Sequence, residues 1–373
     1  MDVVPAKATE TGRDEITVVI PVRDGGDDFA RCLDALSRSV GISYHLIVVD
    51  DGSTDGSAER AEARGARVIK SSISRGPGSA RNLGVESART PLVFFLDADI
   101  EVEPGTLARA YGRFARAPEL DALFGSYDDE PAARGVVSRF RNLLHHYVHQ
   151  HGEFVDDARP ARTFWTGLGA IRRHVFLAHG GFDPRAYRRP AIEDIELGYR
   201  ITNAGGRIVL ARDVRGKHLK RWTLANMIRT DVFQRGVPWM LLRLRTRAAD
   251  TDLNVNNREK ICVSAVAVLL ATLAAAPWQP ALLAVAACAQ AVVAVLNRDL
   301  HRFLARRGGG LFALACIILH DIYYVCCGVS VVIATGIRMF EVARGSERMP
   351  PPRPKGLGRR PRPRESAKIA RKP

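Results

Sequence analysis

Two carboxylates one residue apart, Asp97 and Asp99, follow the apolar run Phe94-Phe95-Leu96 and so stand where a strand ends. Carboxylates in that relation leave a turn in related directions. They can clasp a hard cation such as Mg2+ or Mn2+, which is usually held by one or two carboxylates together with substrate phosphates and water. A solvated strand-to-loop turn gives the same local pattern, so other residues must decide. Asp50 and Asp51 repeat the arrangement: Ile47-Val48-Val49 runs into two acids, then Gly52-Ser53, then Asp55 as a candidate helix cap. Capping accounts for Ser53 or Asp55 but not for the pair before Gly52, which can accept hydrogen bonds from a base N–H and from ribose hydroxyls. Ser74 to Asn82, SRGPGSARN, is a Gly-rich loop leading into a helix. Helix N-terminal amides beside Arg81 suit a diphosphate. The spacing matches neither GxGxxG nor GxxxxGK[ST]. Finally, Glu193, Asp194 and Glu196 open a helical stretch, IEDIELGYR. The helix dipole favours acids in a first turn, whereas one that faces a pocket can take a proton from an acceptor hydroxyl.

These residues share a frame. The runs ITVVIPV (16–22), HLIVVDD (45–51), RVIK (67–70) and PLVFFLD (91–97) each lead through Gly, Asp or Ser into a helical stretch, and ALFGSY (122–127) follows. Strand, turn, helix, repeated, predicts an α/β fold with a mostly parallel sheet flanked by helices. Ligands of such sheets bind outside the carboxyl ends of the strands, where Asp50, Asp51, Asp97 and Asp99 fall.

The 373 residues carry 55 Lys and Arg against 40 Asp and Glu, a formal charge of +15. That excess suits an anionic partner: nucleotide phosphates, anionic lipid or nucleic acid. Much of it lies in the tail 341–373, with 11 Lys/Arg against 3 Glu among prolines, which argues against nucleic acid and predicts a disordered segment near anionic lipid. The six cysteines lack CxxC zinc spacing and read as small apolar fillers. The polar N-terminal segment 1–15 has no apolar core of the signal-peptide kind, so residues 1–258 are expected in the cytosol.

Composition changes near Arg258. Ile261 to Asn297 is uncharged and broken by Pro277-Trp278-Gln279-Pro280, which predicts a hairpin of spans at 261–276 and 281–297. A basic connector, RDLHRFLARR (298–307), precedes a third apolar segment, 310–337. The whole predicts a membrane domain over 259–340 with about three spans. Before it, 223–258 mixes Leu, Met, Trp and Phe with arginines, as a helical region lying on the membrane face does.

Taken in order, VVIPVRDGG, VVDDGSTDGS, GPGSARNLG, FLDADIEV, FWTGLGAIRRHVFLAHGGFD and IEDIELGYRI resemble the family 2 glycosyltransferases, enzymes of the GT-A fold, over residues 16–222. The resemblance implies an inverting, metal-dependent transferase. Its donor would be a nucleotide-diphosphate sugar, a UDP-sugar first among them, and its acceptor lipid-linked or part of a cell-envelope glycan. It assigns Pro21 and Arg23 to the base, Asp50 and Asp51 to the nucleoside, and Arg81 to the diphosphate. Asp97 and Asp99 become the Mg2+ or Mn2+ pair, and Asp194 the catalytic base. Trp165, Thr166, Gly167 and Glu193 fall where acceptor-binding residues lie. His218-Leu219-Lys220-Arg221-Trp222 resembles the Q-x-x-R-W motif of processive members, placing Arg221 and Trp222 by the acceptor, but His218 stands where Gln is expected. A His there suits the third metal contact of non-processive members. With the apolar C-terminal third, the expected location is the cytoplasmic inner membrane, multi-pass, with the catalytic domain cytosolic. Two other readings remain: a sugar-nucleotide pyrophosphorylase-like enzyme, which gives no reason for the apolar segments or for the Glu-Asp helix, and a non-enzymatic basic adaptor, whose positive charge would have to be concentrated near the fold while much of the excess lies in the tail.

Overall fold

The computed structural model describes residues 16–71, 74–187, 189–246 and 256–345. The expectations for segment 1–15 and for the tail beyond residue 345 lie outside the described residues. In chain order the elements are β1 (Ile16–Val22), α1 (Gly26–Ser37), β2 (Tyr44–Asp50), α2 (Ser57–Glu62), β3 (Arg67–Lys70), α3 (Pro77–Ser87), β4 (Leu92–Leu96), β5 (Ile100–Val102) and α4 (Thr106–Arg116). There follow β6 (Ala122–Tyr127), α5 (Val136–Gln150), β7 (Ala158–Ala161), β8 (Leu168–Arg172), α6 (Arg173–Ala178), α7 (Glu193–Asn203) and β9 (Ile208–His218). The remainder is helical: α8 (Leu224–Arg229), a π-helix (Thr230–Gly236), α9 (Val237–Thr246), α10 (Asn257–Ala275), α11 (Leu282–Leu296) and α12 (Arg298–Ala343).

The strands form one sheet in the order β3-β2-β1-β4-β8-β6-β9-β5, with β7 also on β9. The expected parallel part is β3, β2, β1 and β4. Beyond it β8 runs antiparallel between β4 and β6, β9 lies parallel to β6, and β5 and β7 pair with β9 antiparallel. The sheet is therefore mixed, because its second half is built from long-range returns that no strand-turn-helix repeat announces. Side chains alternate across each strand, so the near-continuous apolar runs mean that both faces are covered. Ile16, Val18, Ile20 and Phe94 pack on one face with Phe29, Leu33 and Phe114. Val19, Val93 and Phe95 pack on the other with Phe124, Phe164, Phe176 and Phe182.

A third core joins this unit to the C-terminal helices: Phe140, Leu143 and Tyr147 of α5 meet Trp222 and Leu300, Leu304, Phe312 and Cys316 of α12. The predicted segments 261–276, 281–297 and 310–337 fall in α10, α11 and α12, which pack together through Cys262, Val266, Val293 and Tyr324. Gly309, at φ 81°, breaks the helical path within α12 and separates the basic connector from the apolar stretch. Among the described residues one helix, Arg298–Ala343, is long and apolar enough to cross a membrane, and Leu282–Leu296 is apolar but shorter. The region 223–258 is three successive helices up to Thr246 rather than one, and residues 247–255 lie outside the described residues.

Candidate active site

The Asp97–Asp99 turn separates β4 from β5, and β5 sets its surroundings. Antiparallel pairing puts Ile100 opposite His218 at the end of β9, and the Leu219 N–H donates to the Asp99 carbonyl at 2.9 Å. His218 Nε2 thereby faces Asp99 Oδ2 at 3.5 Å. Its Nδ1 lies 2.7 Å from Asn142 Oδ1 of α5 and so carries the proton, leaving the Nε2 lone pair toward Asp99. Tyr127 stacks on the imidazole, centroids 4.4 Å apart and planes within 6°. Burial pushes the Asp99 carboxyl up; with His218 protonated on both nitrogens, its hydrogen bond and charge, together with the charge of Lys220, outweigh burial and hold the group below its usual value.

Asp97 has a different partner. Arg81 Nη2 donates to its Oδ1 at 2.5 Å and Nη1 reaches Glu193 Oε1 at 3.4 Å, all with the guanidinium buried. Glu193 also accepts from the Ala191 N–H at 2.9 Å, so it turns inward and braces Arg81. Among the described residues no three His, Cys, Asp or Glu side chains cluster as a complete metal cage. The donors present fit a cation held by Asp99 and His218, with Asp97 adjacent and phosphate oxygens filling the remaining positions. A neutral imidazole fixed by a second hydrogen bond is the usual form of a metal-binding His.

Asp194, half-buried in the first turn of α7, accepts from the Thr166 N–H at 3.1 Å and Oγ1 at 3.3 Å, and through its other oxygen from the Ile195 N–H at 2.8 Å. Burial and the neighbouring Glu193 charge push its pKa up to about 6, against the pull of the Thr166 N–H and Arg81. The link to the acidic turn is short, since the Asp97 N–H donates to the Gly167 carbonyl at 3.0 Å. Gly167 is needed there, because a Cβ would lie 2.5 Å from the Trp165 ring.

The nucleoside-side residues hold one another. Asp51 accepts from Ser74 Oγ at 2.8 Å and from the Arg75 and Gly76 N–H groups at 3.0 Å each, drawing the Gly-rich loop to the end of β2. Asp50 accepts from the Ser53 N–H at 2.8 Å, and Arg23 Nη1 donates to Ser74 Oγ at 2.9 Å. Pro21 is half-buried beside Val49 of β2. Between the acidic turn and the helical region opens a cavity of about 160 Å3, whose lining includes Asp97, Asp99, Tyr127, Trp165, His218 and Trp222. Of the expected acceptor residues, Trp165 and Trp222 line it; Thr166, Gly167, Glu193 and the exposed Arg221 do not. Asp194, bound to Thr166, is not part of that lining.

The sequence that builds this arrangement has known counterparts. Residues 17–180 match the family model for glycosyl transferase family 2. They are a family 2 glycosyltransferase domain. The transferase domain is similar to a pre-mycofactocin glycosyltransferase of Mycobacterium tuberculosis, 30% identical over 52% of this chain and 40% of that protein. It is similar also to an undecaprenyl-phosphate 4-deoxy-4-formamido-L-arabinose transferase of Klebsiella pneumoniae, 35% identical over 44% of this chain and 50% of the other. The chain spans about a third to a half of the length of the curated relatives it matches. Among solved structures, a Pyrobaculum calidifontis mannosyltransferase in complex with GDP-Man and Mn2+ aligns over 88% of both chains, with 18% identity and a TM-score of 0.49.

Several cavity residues had no signal in the strand motifs. Tyr127, Asn142, His145 and Arg141 come from β6 and α5, and Gln234 and Arg235 from the π-helix. The i, i+3, i+7 spacing of Asn142, His145 and His149 puts three polar side chains on one face of α5, a pattern that could have marked them.

Proposed function

We propose that the chain is a membrane-attached, inverting, metal-dependent glycosyltransferase. It takes a sugar from a nucleotide-diphosphate donor and gives it to a hydroxyl of a lipid-linked or cell-envelope acceptor. The observation that carries this is the half-buried Asp194 carboxyl, pushed up to about 6 and held by Thr166 one residue from the Gly167 carbonyl that receives the Asp97 amide. A base is most useful when its pKa lies near the working pH.

Asp99 and His218, with Asp97 beside them, would hold the cation, which when bound neutralises charge building on the departing diphosphate. The first free amides of α3, at Gly78 and Ser79, would offer backbone N–H groups toward the same anion. Asp194 Oδ takes the acceptor proton as the acceptor oxygen bonds the anomeric carbon. The bond to the donor phosphate oxygen breaks on the opposite face, so the configuration inverts. Arg81 fixes Asp97 and, through Glu193, the start of α7, so both halves of the reaction sit on one buried ion network. Nucleoside and acceptor assignments follow the family resemblance: Asp50, Asp51, Pro21 and Arg23 for the nucleotide; Trp165, Thr166, Gly167 and Trp222 for the acceptor. Attachment to the cytoplasmic face of the inner membrane is supported by the apolar α12 and by the relative that is named for an undecaprenyl-phosphate substrate.

The test is a panel of nucleotide sugars offered to the purified full chain with Mn2+ or Mg2+, scoring nucleoside diphosphate release and the anomeric configuration of the product. Nucleoside diphosphate and an inverted linkage support the reading. Pyrophosphate release, or a retained configuration, defeats it.

A further inference from the structure

The cavity has a second wall whose chemistry differs from the acidic turn. The π-helix contributes Thr230, Gln234 and Arg235, α5 contributes Arg141, and Lys220 follows β9. Arg141 Nη2 is bound to the buried Asp231 at 2.5 Å. Lys220 lies 4.5 Å above the Trp222 ring and lends its charge to Asp99. Arg235 is exposed at the cavity edge, and among the described residues neither an ion pair nor a hydrogen bond engages it. Of the three cations on that wall, Arg141 is bound to Asp231, Lys220 faces Asp99 and Arg235, among the described residues, has no bound carboxylate.

The wall belongs to an element fastened to the apolar helix. A Cβ on Gly236 would lie 2.1 Å from Ser330 Oγ, so the π-helix runs in contact with α12, and Val232 and Val237 pack on Cys326. Phe233, next to Gln234 and Arg235, is 62% exposed and offers apolar surface beside the cation. π-Turns are rare and concentrate at functional sites, because the wider turn re-aims side chains. Here the re-aimed side chains are a free guanidinium and an amide.

We infer that Arg235, backed by Arg141, Gln234 and Lys220, binds the phosphate of an acceptor carried on a lipid, with the lipid chain leaving along Phe233 and α12. The inference deepens the proposed function and rests on it: the donor diphosphate is already served by the acidic turn and α3, so a second cationic wall fits a second anion. The lipid source follows from the element on which the charge-bearing π-helix rests, since α12 is the one described helix long and apolar enough to span a bilayer.

Three probes on the full chain in detergent separate the possibilities: decyl phosphate, decanol and inorganic phosphate, followed by quenching of tryptophan fluorescence, since Trp165 and Trp222 line the cavity. Decyl phosphate should bind more tightly than either fragment. Arg235→Gln should weaken it about tenfold or more, as expected for a lost hydrogen bond between charged groups, and Arg235→Lys should recover part. Binding of UDP or GDP with Mn2+, measured by calorimetry, should stay unchanged in both variants. Unaltered decyl phosphate binding in Arg235→Gln overturns the inference. Equal weakening of nucleotide overturns it too, by giving Arg235 to the donor, and inorganic phosphate binding as tightly as decyl phosphate removes the lipid. A wild-type chain that binds no nucleoside diphosphate and releases none from any nucleotide sugar counts instead against the transferase reading, while the decyl phosphate result still reports on Arg235.

Discussion

Asp194 is held in a form that suits chemistry better than stability. Its pKa, pushed up to about 6, means that the ionised carboxylate is disfavoured in the fold relative to an exposed Asp. The sign follows: a raised carboxyl pKa contributes stability below the unfolded value near 3.8, and that contribution is lost as pH rises through about 6. At pH 8 the charge is a net cost, about 1–3 kcal/mol for a shift of this size in a half-buried site. Asp194→Asn keeps an oxygen for Thr166 and removes the charge. Denaturant unfolding at pH 8 should show it more stable by that order, with the gain vanishing near pH 4. Turnover should fall about 10²–10⁴-fold, with nucleotide binding by calorimetry near normal. In the wild type, kcat/KM should decline below about pH 6 as the base is protonated. If Glu193→Gln or Glu196→Gln proved the crippling change instead, Asp194 would not be the base.

At the scale of elements, the strand-end acids and the α7 acids were readable because each sits in a local pattern: apolar run, carboxylates, turn. The grouping of His218 with Asp99 was not, except through the family motif, since it depends on β5 pairing with β9 across 118 positions of sequence (Ile100 to His218). The same reason hid α5. Asn142 matters only because a residue 76 positions later returns to face it. Asn142 fixes the His218 tautomer, so Asn142→Ala should raise the Mn2+ concentration needed for half-maximal activity about 10–100-fold, the usual effect of removing such a partner. Asp99→Ala should abolish most turnover, and excess EDTA should do the same to the wild type. Full activity in EDTA would defeat the metal assignment. The π-helix was the least legible element: the sequence predicts a helical region over 223–258, and nothing local marks the wider turn. Its contact with α12 leaves no room for a methyl group, so Gly236→Ala should lower thermal stability and weaken acceptor saturation more than donor binding.

For the whole molecule, the transferase domain and the C-terminal helices are not separable at their junction. α5, Trp222 and α12 share one core, so the helix that carries the apolar surface also supports the cavity wall. Toward the outside that helix leaves Leu311 87%, Ile318 59%, Val332 72% and Met339 68% exposed. Apolar area in water costs about 25 cal/mol per Å2, which makes a hydrocarbon environment the natural cover for a belt of this size. The prediction is that the full chain stays with membranes after an alkaline carbonate wash. Ile318→Lys combined with Val332→Lys should release a large fraction of it, because a charged residue near the centre of a spanning helix costs about 2.5–3.5 kcal/mol. The same double change on a surface that merely faces water would leave the distribution as it was, and one that covers a protein partner would change the oligomeric state without moving the chain out of the membrane. Either outcome would remove the bilayer from α12. Activity in the released fraction then separates anchoring from catalysis: retained release of nucleoside diphosphate with lost transfer to a lipid acceptor is what a cavity wall resting on α12 requires.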